Sequence, residues 1–236
     1  MTLLTANPDV LCDAELFEAW RPPERLDPAD WAERHVTLSP DSPIKGRLDH
    51  RNAPYLPGMI NIASRPGVSQ LNVEKGGQLG VSTAFRWLNG FWAQQDPAPC
   101  GLTLPDKTKG RKIVSGYLLP FFRETKVLRG LMSTRSTDES AEQIRLANGY
   151  TLHLMWAGSA SSTSAIPLRR VVNDEVDKML PWGRGGGEGH AVHRTKTRLR
   201  VFADQAIQIN ISTPTTKMGM IHRLVEDSDV ILYFLV

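Results

Sequence analysis

Residues 70–85 read QLNVEKGGQLGVSTAF, and the fold turns on how this stretch is understood. An apolar run of strand character leads into glycines at 76, 77 and 80, and a hydroxyl pair, Ser82 and Thr83, then opens a run of helical length. This is the outline of an anion-binding turn, in which backbone amides at a helix N-terminus converge on a phosphate and glycines let the chain approach it. A triphosphate asks for two more groups, a cation for the β- and γ-phosphates and a hydroxyl for magnesium. Ser82 or Thr83 supplies the hydroxyl, but the position before it, where a lysine is expected, holds Val81. Lys75 stands instead at the start of the loop, and its long stem reaches the same anion if Gly76, Gly77, Gln78, Leu79 and Gly80 wrap around it. Taken alone, the stretch fits either a phosphate site with a displaced lysine or a glycine-rich turn that serves tight packing.

Two later stretches bear on that choice. RRVVNDEVDKM, residues 169–179, is an apolar strand that delivers two adjacent acids at its C-terminal end. P-loop ATPases hold magnesium with such an aspartate and polarise the attacking water with the glutamate after it, roles that fall here to Asp174 and Glu175. A solvated acidic turn is the plainer reading of that motif by itself. INISTPT, residues 209–215, is a further strand ending in hydroxyls, where Ser212 and Thr213 would sense the γ-phosphate; a threonine-rich turn is the plainer reading there too. A phosphate-type loop followed at domain-scale distance by a strand-end acid pair is much less common by chance than either motif alone.

Around these motifs, residues 1–66 form a lead-in rich in proline and charge, and residues 67–236 alternate strand-length apolar runs with amphipathic windows, the pattern of a mostly parallel sheet covered by helices. Strands are predicted at 68–74, 100–104, 168–175, 206–213 and 230–236, and helices at 82–95, 107–122, 190–203 and 218–228. AEQIRLANGYTLHLMWA, residues 141–157, predicts a hairpin with a two-residue turn at Asn148–Gly149. WGRGGGEGH, residues 182–190, reads as a mobile loop.

Composition sets outer limits. A chain of 236 residues with 41% hydrophobic content can bury a sizeable core. Its formal charge of +3 permits a polyanionic partner without demanding one. Cys12 and Cys100 are the two cysteines, too few for a disulfide framework or a four-cysteine zinc site, which suits a reducing compartment. No segment has the roughly 18 consecutive apolar residues of a membrane helix, and the N-terminus lacks the order of a signal peptide, so no membrane partner and a cytoplasmic location are expected.

Together the motifs resemble the ATPase domain of the large terminase subunit of tailed phages, in particular the lambda-type group. The resemblance runs over roughly residues 30–236 through WAERHVTLSP, RNAPYLPGMI, KGGQLGVS, LTLPDKTKGRK, MWAGSASSTSA, VVNDEVDKM, ISTPT and GMIHRLVEDSDVILYFLV. In that group the loop also carries its lysine early, so the resemblance gives the role to Lys75. It implies an α/β P-loop NTPase fold of the ASCE type, and a motor that hydrolyses ATP with Mg2+ to drive double-stranded DNA into a procapsid. The implied partners are double-stranded DNA, the portal protein, the small terminase subunit and other copies of this chain in a ring, with work done in the host cytoplasm, transiently at the portal. Nucleotide would be bound by Lys75, Gly76, Gly77, Gln78, Gly80, Val81, Ser82 and Thr83, with adenine contacts around Pro54 and Tyr55. Ser82 and Asp174 would hold the metal, Glu175 would activate water, and Ser212 and Thr213 would couple hydrolysis to movement. Arg135, Arg145 and Arg194 are candidates for a trans-acting arginine. Family members continue into a magnesium-dependent nuclease domain; the chain stops short of it, so nuclease activity is not expected.

Asn173 departs from the usual apolar residue before the acids and is expected to place an amide beside the metal. The helix HAVHRTKTRLR reads as a solvated basic face or as a contact for DNA phosphates. His190 and His193 lack the acidic or cysteine partners of a metal site. Phe85, Trp87, Phe91 and Trp92 read as core or interface. Two rival functions remain at this point, a helicase-like nucleic-acid-dependent ATPase and a nucleotide-binding assembly module with little turnover.

Overall fold

The computed structural model describes residues 24–38, 42–133, 140, 142–159, 166–179, 189–227 and 232–235. The glycine run at 183–187, Arg135, Cys12 and the lead-in before residue 24 lie outside the described residues. In chain order the elements are α1 (Pro28–His35), β1 (Thr37–Leu38), β2 (Gly46–Arg47), α2 (Leu56–Ile62), β3 (Gln70–Lys75), α3 (Val81–Gln95), β4 (Pro99–Leu104), α4 (Lys107–Ile113), α5 (Leu119–Glu124), α6 (Lys126–Arg129), β5 (Gln143–Arg145), β6 (Thr151–Trp156), β7 (Arg170–Asp174), α7 (Ala191–Arg198), β8 (Ile207–Ser212), α8 (Met220–Glu226) and β9 (Leu232–Leu235).

Seven strands form one sheet in the order β5-β6-β4-β7-β8-β3-β9, and every neighbouring pair is parallel except the edge pair β5–β6. Central strands of such a sheet are covered on both faces and so read as nearly continuous buried runs, as β8 does over its whole length. β8 lies between β3 and β7, so the strand carrying the glycine loop and the strand carrying the acids are next-but-one neighbours.

The two faces differ in chemistry. On one, Leu71 and Val73 of β3, Val172 of β7 and Ile207, Ile209 and Ile211 of β8 join the main core with Trp31 of α1, Met59 and Ile60 of α2, and Phe85, Leu88 and Trp92 of α3. All four aromatic residues of the α3 stretch are buried. On the other face a row of buried polar side chains crosses the sheet in register, Asn72, Asn210, Asn173 and Thr103, on β3, β8, β7 and β4. Asn72 Nδ2 donates to Leu224 O of α8 at 2.8 Å, Asn210 Nδ2 to Asn72 Oδ1 at 2.8 Å, and Asn173 Nδ2 to Asn210 Oδ1 at 2.8 Å. Thr195 of α7 closes the row by donating to Asn173 Oδ1 at 3.3 Å. Each link matters because a buried polar group left unpaired costs about 1–3 kcal/mol.

Three predicted elements come out differently. The hairpin forms, but Arg145 pairs with Thr151 and Leu146 N donates to Tyr150 O, leaving a three-residue loop. Only Gly149 takes positive φ, at 90°; Asn148 instead spends its side chain on Ala93 O and Tyr150 N, the arrangement of a type I turn followed by a left-handed glycine. The helix predicted at 107–122 is broken by a π-turn at Val114–Leu118. Pro120 follows it, has no N–H, and would crowd the carbonyl four residues back in an unbroken α-helix; the wider turn relieves that clash. The helix predicted at 190–203 ends at Arg198, and the chain continues as a kinked 3-10 segment with Ala203 at φ 44°.

Candidate active site

The parallel sheet gathers the C-terminal ends of β3, β8 and β7 at one edge, where ligands of open α/β sheets bind. Register sets the alignment: Glu74 is opposite Ser212, and Asp174 is opposite Ile211. Lys75, Ser212 and Asp174 therefore arrive together from three strands. The loop after Lys75 returns through Gly80, whose φ of 74° is left-handed and whose residue type removes the Cβ penalty. α3 then starts, with Ser82 and Thr83 in its first turn.

Ser82 Oγ donates to Asp174 Oδ1 at 2.9 Å, a bond that joins the loop helix to the acid strand across β8. Lys75, 9% exposed, donates from Nζ to Thr213 Oγ1 at 3.3 Å. Gln78 and Glu175 both have φ 60°, and they are two of the three non-glycine residues with positive φ among the described residues. Such conformations cost on the order of 1–3 kcal/mol each and concentrate at functional sites. Glu175 is partly exposed, and its carboxylate accepts from Lys178 Nζ at 2.8 Å.

Electrostatics sharpen the picture. Asp174 is crowded by protein although partly open to solvent, and that burial raises its pKa above the ordinary carboxylate value. The Ser82 hydroxyl and the charges of Lys75 and Arg86 oppose the rise, and Glu175 adds to it. No sequence motif points to Arg86. It lies four residues after Ser82, on the same helix face; burial lowers its pKa, and its guanidinium sits 5.2 Å from the centre of the Tyr117 ring.

A hydroxyl and a single carboxylate fit Mg2+, which takes one or two carboxylates and completes its shell with phosphate oxygens and water. Among the described residues no group of three or more His, Cys, Asp or Glu is placed to hold a metal by itself. His190 is buried, its Nδ1 accepts from Val192 N at the start of α7, and burial lowers its pKa; His193 is exposed.

Ser212 Oγ accepts from Asp177 N at 3.1 Å and donates to Thr213 O at 3.2 Å. Tyr55 donates its hydroxyl to Leu79 O at 2.9 Å, within the glycine loop. Beside Thr83 opens a cleft of about 490 Å³ walled by Val36, Leu38, Arg86, Trp87, Tyr117 and Phe121. Two expectations need correction. Asn173 points away from Asp174 to the polar face, because successive residues of a strand project to opposite sides. Arg194 is buried and donates to Gly189 O and Ala157 O of its own chain, which removes it as an arginine offered to a neighbour. Arg145 is exposed on edge strand β5. Of the basic helix, Lys196 is exposed and binds Gln70 Oε1 at 3.0 Å.

Comparison with known proteins follows the same line. Residues 42–236 match the model of the family described as phage terminase large subunit gpA, ATPase domain. No curated protein matches the chain. The crystal structure of the HK97 bacteriophage large terminase superposes with a TM-score of 0.64 at 12% identity, over 89% of this chain and 43% of that one. The ATPase domain of the large terminase of Thermus phage P74-26 superposes with a TM-score of 0.52 at 13% identity, over 71% of this chain and 68% of that one. At these identities the likeness is one of fold, and this chain spans less than half the length of the HK97 protein.

Proposed function

Because this chain belongs to the family of phage terminase large subunit gpA ATPase domains, we propose that it is the ATP-hydrolysing motor domain of a terminase that drives double-stranded DNA into a procapsid. The observation that carries this reading is the Ser82–Asp174 hydrogen bond, made beside a buried lysine at the same sheet edge. That pair is what a P-loop ATPase needs to hold Mg2+ against a triphosphate.

Lys75 turns from Thr213 to the β- and γ-phosphates, and the backbone of Gly76, Gly77, Gln78, Gly80, Val81 and Ser82 surrounds them. Thr83 stands at the α-phosphate, and the adenine is received around Pro54 and Tyr55, beside the loop that Tyr55 touches at Leu79. Tyr55 serves binding through the loop residue it holds. Ser82 and Asp174 would hold Mg2+, which would supply neutralising charge to the phosphates. Glu175 leaves Lys178 and orients the attacking water. Phosphoryl transfer asks mainly for positioning and charge compensation, which this set of residues provides. Ser212 and Thr213 report the loss of the γ-phosphate. The described part of the 1–66 lead-in acts as a lid-like segment that packs on the 67–236 core through Trp31, Met59 and Ile60. The motor works as a homo-oligomeric ring with the portal protein and the small terminase subunit, in the host cytoplasm.

The test is ATP turnover by the full chain with double-stranded DNA, with and without portal-bearing procapsids, beside Glu175→Gln. Turnover that rises with both DNA and procapsids and is lost in Glu175→Gln is expected. Turnover that responds to DNA alone would point to a helicase-like enzyme, and binding without turnover under any condition to an assembly module.

A further inference from the structure

We propose that Asp177 is the positioning residue that ties the acid turn to the coupling segment, so that a change at the phosphate site moves α8. The inference rests on the nucleotide reading above. Asp177 lies two residues after Glu175, in the short 3-10 turn Val176–Lys178. Its amide donates to Ser212 Oγ at 3.1 Å. Its Oδ1 accepts from Ile221 N of α8 at 2.8 Å, and its Oδ2 accepts from Thr215 N at 2.9 Å and Thr215 Oγ1 at 3.2 Å. One side chain and its own amide thus hold the end of β8 at position 212 and two points of the segment that follows it, at positions 215 and 221. Gly219 closes the fourth side: a methyl group there would overlap Asp177 Oδ2.

The same segment is held from the other direction by the loop strand. Lys75 bonds Thr213, His222 of α8 lies 3.4 Å from Glu74, and Asn72 donates to Leu224 O. α8 therefore bridges β3, which leads into the phosphate loop, and the turn that bears Glu175. When Lys75 exchanges Thr213 for phosphate, the segment loses a tether near residue 213 while Asp177 still grips residues 215 and 221. The strain then passes into α8 instead of dissipating in a free loop. A carboxylate that merely capped α8 would stabilise the helix equally with or without nucleotide; a tie makes the exchange of the capped amides depend on nucleotide.

The experiment measures hydrogen exchange over residues 213–226 in the full chain, in a Glu175→Gln background, with and without Mg2+ and ATP. Asp177→Asn removes the double acceptor, and Gly219→Ala displaces the carboxylate without altering it. The nucleotide is expected to change exchange at Thr215 and Ile221. Both variants should keep ATP affinity within about threefold yet lose that change, and with Glu175 intact their DNA-stimulated kcat should fall roughly tenfold. Melting temperatures identify a variant that fails to fold, and the other variant then decides. Retention of the nucleotide-dependent change in a folded variant overturns the proposal, as does a parent whose exchange ignores bound ATP. A parent that binds no ATP overturns the nucleotide reading itself, a result distinct from binding without a change.

Discussion

Replacing Lys75 by Met separates affinity from stability. Met keeps the apolar stem that lines the end of β3 and removes the charge. In the folded chain Lys75 is 9% exposed and its hydrogen bond goes to a neutral hydroxyl, Thr213 Oγ1, at 3.3 Å. A buried cation here adds little net stability, because desolvation offsets most of what it gains from this hydroxyl and from the nearby charge of Asp174. The melting temperature of Lys75→Met should therefore stay within about 4 °C of the parent, the shift that roughly 1 kcal/mol produces in a domain of this size. Against phosphate the same ammonium makes charge-assisted hydrogen bonds of about 1.5–3 kcal/mol, which convert to a weakening of roughly 10–150-fold in Kd. Titration calorimetry with Mg2+ and ATP, in a Glu175→Gln background that stops turnover, reads this directly. A Kd within threefold of the parent would refute the displaced-lysine assignment. A large fall in melting temperature would mark Lys75 as a structural residue.

Further outcomes follow from individual contacts. Burial raises the folded pKa of Asp174 above its unfolded value, so the ionised group weakens the fold at neutral pH and its favourable contribution is complete only below the unfolded pKa. Asp174→Asn should thus melt higher than the parent at pH 7, with the gain shrinking as pH falls toward about 4, while metal-dependent turnover is lost; melts across that range check the sign. Asn210→Leu removes two bonds of the sheet's polar row, leaving Asn72 Oδ1 its 3.2 Å contact with Gln70 Nε2 and Asn173 Nδ2 its 3.2 Å contact with Thr195 Oγ1. It should cost about 1–3 kcal/mol in urea unfolding, from two lost buried hydrogen bonds. Tyr55→Phe removes the bond to Leu79 O and should weaken ATP binding about fivefold, with little change in melting temperature.

Local chemistry makes several features of this chain legible in its residues alone. Glycine spacing marks the strand-to-helix turn at 76–80, and the apolar runs of β3, β7 and β8 report strands buried on both faces. Period-two alternation also carries a signal for Asn173: a residue beside Asp174 on a strand must face the other way, and its contact with Asn210 shows that it does. Arg86 is within reach of the helical i to i+4 rule from Ser82.

Asp177, Arg194 and the Asn72–Asn210–Asn173 row cannot be found that way. Each is defined by a partner on another element far along the chain, as in Arg194 to Ala157, Asp177 to Ile221 and Asn72 to Leu224, which are 37, 44 and 152 residues apart. The sequence by itself determined the class of sheet, the loop that carries Lys75 and Ser82, and the strand ends that carry Asp174 and Ser212, because strand length, turn residues and helix starts are set by interactions within a few residues. Tertiary structure alone decided that β8 lies between β3 and β7, that Ser82 meets Asp174, and that Asp177 grips α8. Strand order and side-chain partnership arise from pairing between distant segments, whose outcome depends on the packing of the whole core.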